Sequence, residues 1–132
     1  MPMHVELVSP ERVVFDAEVT MVLARTIGGG DVAFMEGHAP FLGALQTHTM
    51  TFFLADGTRE VAAVHGGFIS VVDNHVRVLS DMSEVSSQID VARAERARDA
   101  ALEGARLDTD VEHEAALRRA QARLTAAGVV TA

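Results

Sequence analysis

The sequence predicts an all-β N-terminal sandwich or flattened barrel over residues 1–84, followed by a C-terminal antiparallel α-helical hairpin over 85–132. Three observations carry this expectation. Before residue 86 the chain alternates apolar and polar residues in extended runs. Turn residues punctuate those runs at spacings typical of sandwiches and barrels. From "SSQIDVARAERARDAALEGARLD", 86–108, the pattern becomes alanine-rich, charged and helical.

Met3, Val5 and Leu7 alternate with His4 and Glu6, as on a half-buried strand. "SPE", 9–11, reads as a turn, and "RVVFDAEVTMVLART" holds two more extended runs. "IGGGD" punctuates, "VAFM" is a short strand, and "EGHAP" is a loop with a tight turn between Gly37 and Pro40 that presents His38 at its tip. Asp56-Gly57 between two apolar runs signals a type I′ hairpin, and Asp73-Asn74 repeats the signal. The strands are expected to be short, and "SDMSEVSSQ", 80–88, marks the boundary.

Ser87-x-x-Asp90 resembles a capping box, with Asp in place of the usual Glu. Glu95, Asp99 and Glu103 form a solvated stripe, Ala94, Ala97 and Ala101 line the opposite arc, and Gly104 is the expected helix end. Thr109-x-x-Glu112 is a capping box for the second helix. His113, Ala116, Leu117, Ala120, Leu124 and Ala127 share one face of that helix. A buried large apolar side chain gains roughly 1.5–3 kcal/mol and an alanine methyl about 0.8. With only Ile89, Val91, Leu102, Leu107, Val111, Leu117 and Leu124 as large apolar residues, the hairpin is marginal alone and must dock on a neighbour.

The 132 residues include no cysteine, which excludes disulfides and thiolate metal sites. The formal net charge is −8, all 11 basic residues are arginine, and only 5% of residues are aromatic. This composition argues against nucleic acid as a partner. No secretory signal is read in residues 1–30, and no apolar run approaches the ~20 residues that span a bilayer. Gly28-x-Gly30-x-x-Ala33 formally matches a dinucleotide fingerprint, but Gly37 and Pro40 forbid the helix it needs. The histidines at 4, 38, 48, 65, 75 and 113 have no helical pair spacing and no carboxylate cluster placed to complete a metal site, so no metal is expected. Nothing supports a catalytic triad.

"IDVARA", 89–94, admits two readings. In one, Asp90 is a helix-capping carboxylate paired with Arg93 at i, i+3. In the other it belongs to a ligand site. Arg93 points toward the returning second helix, where Arg119 and Arg123 form an i, i+4 stripe, and three guanidinium groups there could clamp a triphosphate.

Taken in order, "VSPERVVFDAEV", "GGGDVAFMEGHAPFLGAL", "VHGGFISVVDNHVRVL" and "IDVARAERA" resemble the epsilon subunit of F-type ATP synthases over essentially the full length. The resemblance implies a non-catalytic rotor subunit on the cytoplasmic face of a bacterial membrane, peripheral and attached only through the complex. Its sandwich would hold the central-stalk gamma subunit and rest on the c-ring, coupling proton flow to ATP synthesis at the alpha–beta interfaces. Its hairpin would be a regulatory arm, folded on the sandwich or extended along gamma, where it hinders ATP hydrolysis. No cofactor is required, and regulatory ATP is implied by an (Ile/Leu)-Asp-x-x-Arg-Ala motif that Ile89, Asp90, Arg93 and Ala94 match, with Glu84 and Arg123 as further contributors. Asp31, His38 and Pro40 correspond to partner contacts, and Arg118 and Arg119 to inhibitory-helix contacts. The family's usual Gly-Glu-Leu-Gly is here Gly30-Asp31-Val32-Ala33, and its Leu-Glu after Gly-Gly-Phe is Ile69-Ser70. A stand-alone protein-binding module and an independent hydrolase are the competing classes.

Overall fold

The computed structural model describes residues 3–107 and 111–129, the side chains of 105–107 excepted. Seven strands precede two helices. They are β1 (Met3–Val8), β2 (Val13–Thr26), β3 (Gly30–Met35), β4 (Phe41–Leu54), β5 (Arg59–Val72), β6 (His75–Leu79) and β7 (Ser83–Val85). A 3-10 turn, Ser86–Gln88, leads to α1 (Val91–Leu107) and α2 (Val111–Ala126).

The sheet runs β1-β6-β5-β4-β2-β3, and β1 also pairs with β2, which closes the ring into a flattened barrel. Closure removes most of the exposed sheet edge. Its core is filled by Val5, Leu7, Val22, Phe34, Phe52, Ile69, Val71, Val76 and Val78, all fully buried. The expected all-β domain followed by two packed helices is therefore present.

The strands are not all short. β2, β4 and β5 are each 14 residues long, and the stretch read as two extended runs is the single strand β2. Long strands bend from one layer of the barrel to the other, and β5 changes neighbour as it does so. It pairs with β7 through Ala62–Val64 and with β6 through Phe68–Val72, with Gly66 and Gly67 between. The unbroken burial of Ala62, Ala63 and Val64 shows β5 covered on both faces. Ala62 and Val64 enter the barrel core, whereas Ala63 packs on α2.

The turns follow local chemistry, with two corrections. Asp73 and Asn74 both have positive φ, 50° and 64°, as the expected type I′ hairpin requires. At Asp56-Gly57 only Gly57 is left-handed. Its N–H donates to the Leu54 carbonyl, and Asp56 Oδ1 accepts from the Thr58 N–H and hydroxyl. This is a type I turn closed by a glycine bulge, because the aspartate side chain stabilises the turn that follows it. His38 is not presented at a tip. Its N–H closes a turn on Met35 O, and its half-buried ring packs on Phe34 and Phe41, with centroids 4.9 and 6.2 Å away.

The helix signals are also revised. α1 begins at Val91, and Asp90 is itself the N-cap: its Oδ1 accepts from the Arg93 N–H at 3.0 Å and its carbonyl from the Ala94 N–H. Ser87 lies in the preceding 3-10 turn, so no box opens there. Gly104 does not end α1, which continues to Leu107. A side chain at 104 would meet the His113 ring at 2.6 Å, so the glycine permits close approach of the two helices. Thr109, the expected cap of the second helix, lies outside the described residues.

α2 is the inner helix. Ala122 and Ala126 pack on Ala63, with Val61 and Ile89 beside them. Ala120 and Leu124 are also buried, so the C-terminal half of α2 is covered on more sides than the one face its spacing predicts. Its neighbours are α1, β4 and β5, while α1 rests on α2. In the seam against Ala63 the expected docking rests mainly on small side chains, each contributing about one methylene of burial, while Leu124, fully buried on the same helix, adds a large one.

Candidate functional site

Between β7, the 3-10 turn and the two helices lies a cavity of ≈ 470 Å³. Glu84 and Met82 line it from the sheet side, Asp90, Arg93 and Ala94 from α1, and Arg119 and Arg123 from α2. This volume falls within the range of small-molecule sites, about 300–1,000 Å³. The structure therefore brings together Asp90, Arg93, Ala94 and Arg123, and Arg119 with them. Ile89 is displaced from the cavity into the apolar seam beneath α2.

The charges are unequally engaged. Arg123 Nε donates to Glu84 Oε1 at 2.6 Å and its Nη2 reaches Met82 Sδ at 3.2 Å. Both partners are about three-quarters buried, so this pair fastens α2 to the sheet. Arg119 Nη2 donates to Glu112 Oε1 at 2.9 Å. Among the described residues no hydrogen bond or ion pair engages the Arg93 guanidinium; only its backbone N–H is used, by Asp90. An exposed arginine held at a cavity rim without a counter-ion retains its full bidentate capacity for an oxyanion.

The capping role of Asp90 and its place in the cavity coexist, because the cap engages Oδ1 while the residue lines the cavity. Replacing Asp90 by Ala should destabilise the first turn of α1 by about 1 kcal/mol, whereas Asn, also a good cap, should lose only a few tenths. Hydrogen exchange at Val91–Ala94 checks this; equal protection in the two variants would contradict the capping role.

Beneath the pair lies His65, which its spacing in the sequence marks only as a strand histidine. Its side chain is 3% exposed and 3.7 Å from Glu84, and neither ring nitrogen has a hydrogen-bond partner. Burial, then the nearby Arg123 charge, push the imidazole down to about 4, against the opposing pull of Glu84. The ring is neutral at pH 7. An alternating pattern could have placed His65 on the face shared with Val61 and Ala63, but the sequence does not say that a helix covers that face.

The remaining candidates lie elsewhere. Arg118 does not accompany Arg119; it lines a separate groove of ≈ 430 Å³ with Arg25, Gln46, His48 and Gln121. Adjacent helical positions lie about 100° apart, so the two arginines serve different surfaces. Asp31 is held by Arg25 across the β2–β3 pair at 2.9 and 3.1 Å, and that bond keeps its carboxyl below the usual carboxylate range. Pro40 is exposed at the start of β4. Leu42, Phe68, Val72 and Leu79 are exposed on one face of β4, β5 and β6, a broad apolar surface beside this loop. No helix among the described residues is long and apolar enough to cross a membrane.

The family model described as ATP synthase, Delta/Epsilon chain, beta-sandwich domain matches residues 2–85. The ATP synthase epsilon chain of Streptomyces griseus is 46% identical over 127 residues, covering 96% of each chain. That of Moorella thermoacetica is 39% identical over 133 residues, covering 97% of this chain and 98% of its own. A chain in a cryo-EM structure of Euglena gracilis mitochondrial ATP synthase (OSCP/F1/c-ring) superposes with a TM-score of 0.80 at 20% identity. The overlap takes in 96% of this chain and 81% of that one, and shows a shared fold.

Proposed function

This chain belongs to the ATP synthase epsilon-chain family, and from that premise we propose that it couples rotation of the central stalk to catalysis elsewhere in the complex while its hairpin acts as a nucleotide-sensitive arm. The subunit itself is non-catalytic. The barrel serves as a collar: the exposed face of Leu42, Phe68, Val72 and Leu79 meets the gamma subunit. Asp31 and the loop of His38 and Pro40 meet the c-ring. The complex supplies attachment to the cytoplasmic face of the bacterial membrane.

The observation that carries the regulatory part is the cavity at the hairpin's docking seam, with Arg93 uncommitted at its rim. ATP in that cavity would touch residues of β7, α1 and α2 at once, so it binds only when the arm lies on the barrel. Arg93 and Arg119 take phosphate oxygens, and Arg123 shares its charge between Glu84 and the ligand. A ligand of the docked arm alone stabilises that state by RT ln(1 + [L]/Kd), about 2.7 kcal/mol at a concentration of 100 Kd. Without nucleotide, the alanine seam with Val61 and Ile89 and the Arg123–Glu84 pair hold the arm. Released, it is free to reach the alpha–beta subunits and oppose hydrolysis through Arg118 and Arg119.

Isothermal titration of the full chain with ATP tests the site. Binding in the millimolar range or tighter is expected, and Arg93→Ala should raise Kd roughly tenfold or more, as loss of a charge-assisted hydrogen bond implies. No heat and no change in α2 chemical shifts at millimolar ATP would remove the nucleotide from this proposal. The collar role is tested separately, by proton-driven ATP synthesis in membranes lacking the subunit; unimpaired synthesis would overturn it.

A further inference from the structure

The cross-strand face of β1, β2 and β6 carries a second cluster, remote from the hairpin. β1 lies between the other two strands, so His4 stands opposite Glu18 on one side and His75 on the other, and Glu6 opposite Asp16 and Arg77. Residues two apart on a strand share a face, which puts all six on one surface. Sequence reasoning found no carboxylates placed to complete a metal site. The register supplies them, because the β1–β2 pairing brings Asp16 and Glu18 to His4 and Glu6, and the β1–β6 pairing brings His75.

The geometry gathers donor atoms for a cation. His4 Nδ1 is 2.9 Å from Glu18 Oε1 and His4 Nε2 is 2.6 Å from Asp16 Oδ1. A neutral imidazole has one N–H to give. With Nδ1 directed at Glu18, Nε2 is the nitrogen turned toward Asp16, so it can bind an ion that Asp16 also ligates in place of a second ring proton. Ligand atoms of His4, Glu6 and Asp16 lie within 4.8 Å of one another. His75 Nε2 reaches Glu6 Oε1 at 3.0 Å, and its ring is 5.7 Å from that of His4. Three carboxylates here face one arginine, Arg77, whose Nη2 is 3.7 Å from Glu6 Oε2.

We infer that His4, Glu6, Asp16 and His75 form a binding site for a divalent transition-metal ion of the zinc class, with Glu18 as the outer carboxylate that orients His4. Two imidazole nitrogens and two carboxylate oxygens are a donor set that zinc accepts. A carboxylate on the far nitrogen of a metal-ligating histidine is the usual outer-sphere arrangement. The four side chains are between 22% and 51% exposed, so they can close on an ion by rotation without disturbing the core. A bound ion would join β1 to β2 and β6 at the seam that closes the barrel.

Titration of the chelator-treated full chain with Co²⁺, a spectroscopic stand-in for zinc, reads this directly. One equivalent is expected to produce the visible bands of a four-coordinate site, and Zn²⁺ should abolish them. His4→Ala and Asp16→Asn should each weaken binding at least tenfold, Glu18→Gln by ten- to a hundredfold, and the remote His48→Ala should leave it unchanged. Circular dichroism establishes that each variant is folded, and Asp16→Asn preserves shape should His4→Ala not fold. Absent visible bands in the wild type, or equal affinity in wild type and Asp16→Asn, would mean that only a proton bridges His4 and Asp16, and the site would be withdrawn.

Discussion

Gly67→Ala should destabilise the barrel by roughly 3 kcal/mol or more, the largest loss expected from adding one methyl group to this chain. Gly67 has φ of +117°, which a side chain resists at a cost of about 1–3 kcal/mol. A Cβ at this position would also lie 2.1 Å from the Leu79 carbonyl oxygen and 3.0 Å from the Ser80 Cα. Both obstacles are backbone, so no side-chain rotation relieves them, and overpacking adds about 1–3 kcal/mol. The site is where β5 passes from β7 to β6, so the displaced segment would pull Phe68 away from Leu79 and loosen the face proposed to meet the stalk. For a domain of this size the midpoint should fall by about 10–20 °C. Gly28→Ala is the control: its φ is +81° and a Cβ there meets nothing within 4 Å, so it bears the backbone cost alone. Equal losses in the two variants would show that the Leu79 collision is not what makes position 67 glycine.

Acidification should release α2 from the barrel, and His65 sets the window. Its imidazole is pushed down to about 4 from an ordinary 6.5, first by burial and then by Arg123, with Arg119 adding to the effect and Glu84 opposing it. When α2 lifts away, both arginines leave and the ring rehydrates beside Glu84, so the undocked state binds the proton more readily. Docking free energy is therefore fully present above pH 6.5, declines as pH falls from 6.5 toward 4, and is constant again below that. The full span is worth about 3 kcal/mol, and about 1.4 kcal/mol, or tenfold in the docking equilibrium, is lost by roughly pH 5.5. Hydrogen exchange along Ala120–Ala126, corrected for the intrinsic effect of pH, reads the opening equilibrium. His65→Gln, which takes up no proton, should flatten the dependence. An unchanged slope in that variant would assign the effect to other groups.

The parts of the molecule legible in the sequence are those governed by neighbours in the chain. Alternation located β1 and β6, Asp73-Asn74 announced its turn, and the alanine arc with its acidic opposite stripe announced α1. Errors arose where a distant surface intervened. "VAAV" does not alternate because α2 covers the outer face of β5. Gly104 has the local signature of a helix stop, but it is a point of close approach to His113. The Gly37–Pro40 spacing predicts a displayed His38, yet two phenylalanines far more apolar than solvent draw its ring inward.

The candidate sites divide in the same way. By itself the sequence determined the element types, the family motifs and a weakly apolar hairpin that needs a support, because propensity and periodicity act over a few residues. Only the tertiary structure decided that Arg119 and Arg123 share a cavity with Arg93 while Arg118 turns away. It alone also placed His65 beneath the Glu84–Arg123 pair and drew His4, Asp16 and His75 to one seam. Such meetings depend on strand register and on which faces dock. Those are chosen by the burial of surfaces contributed from across the whole chain, and no local stretch of residues encodes them.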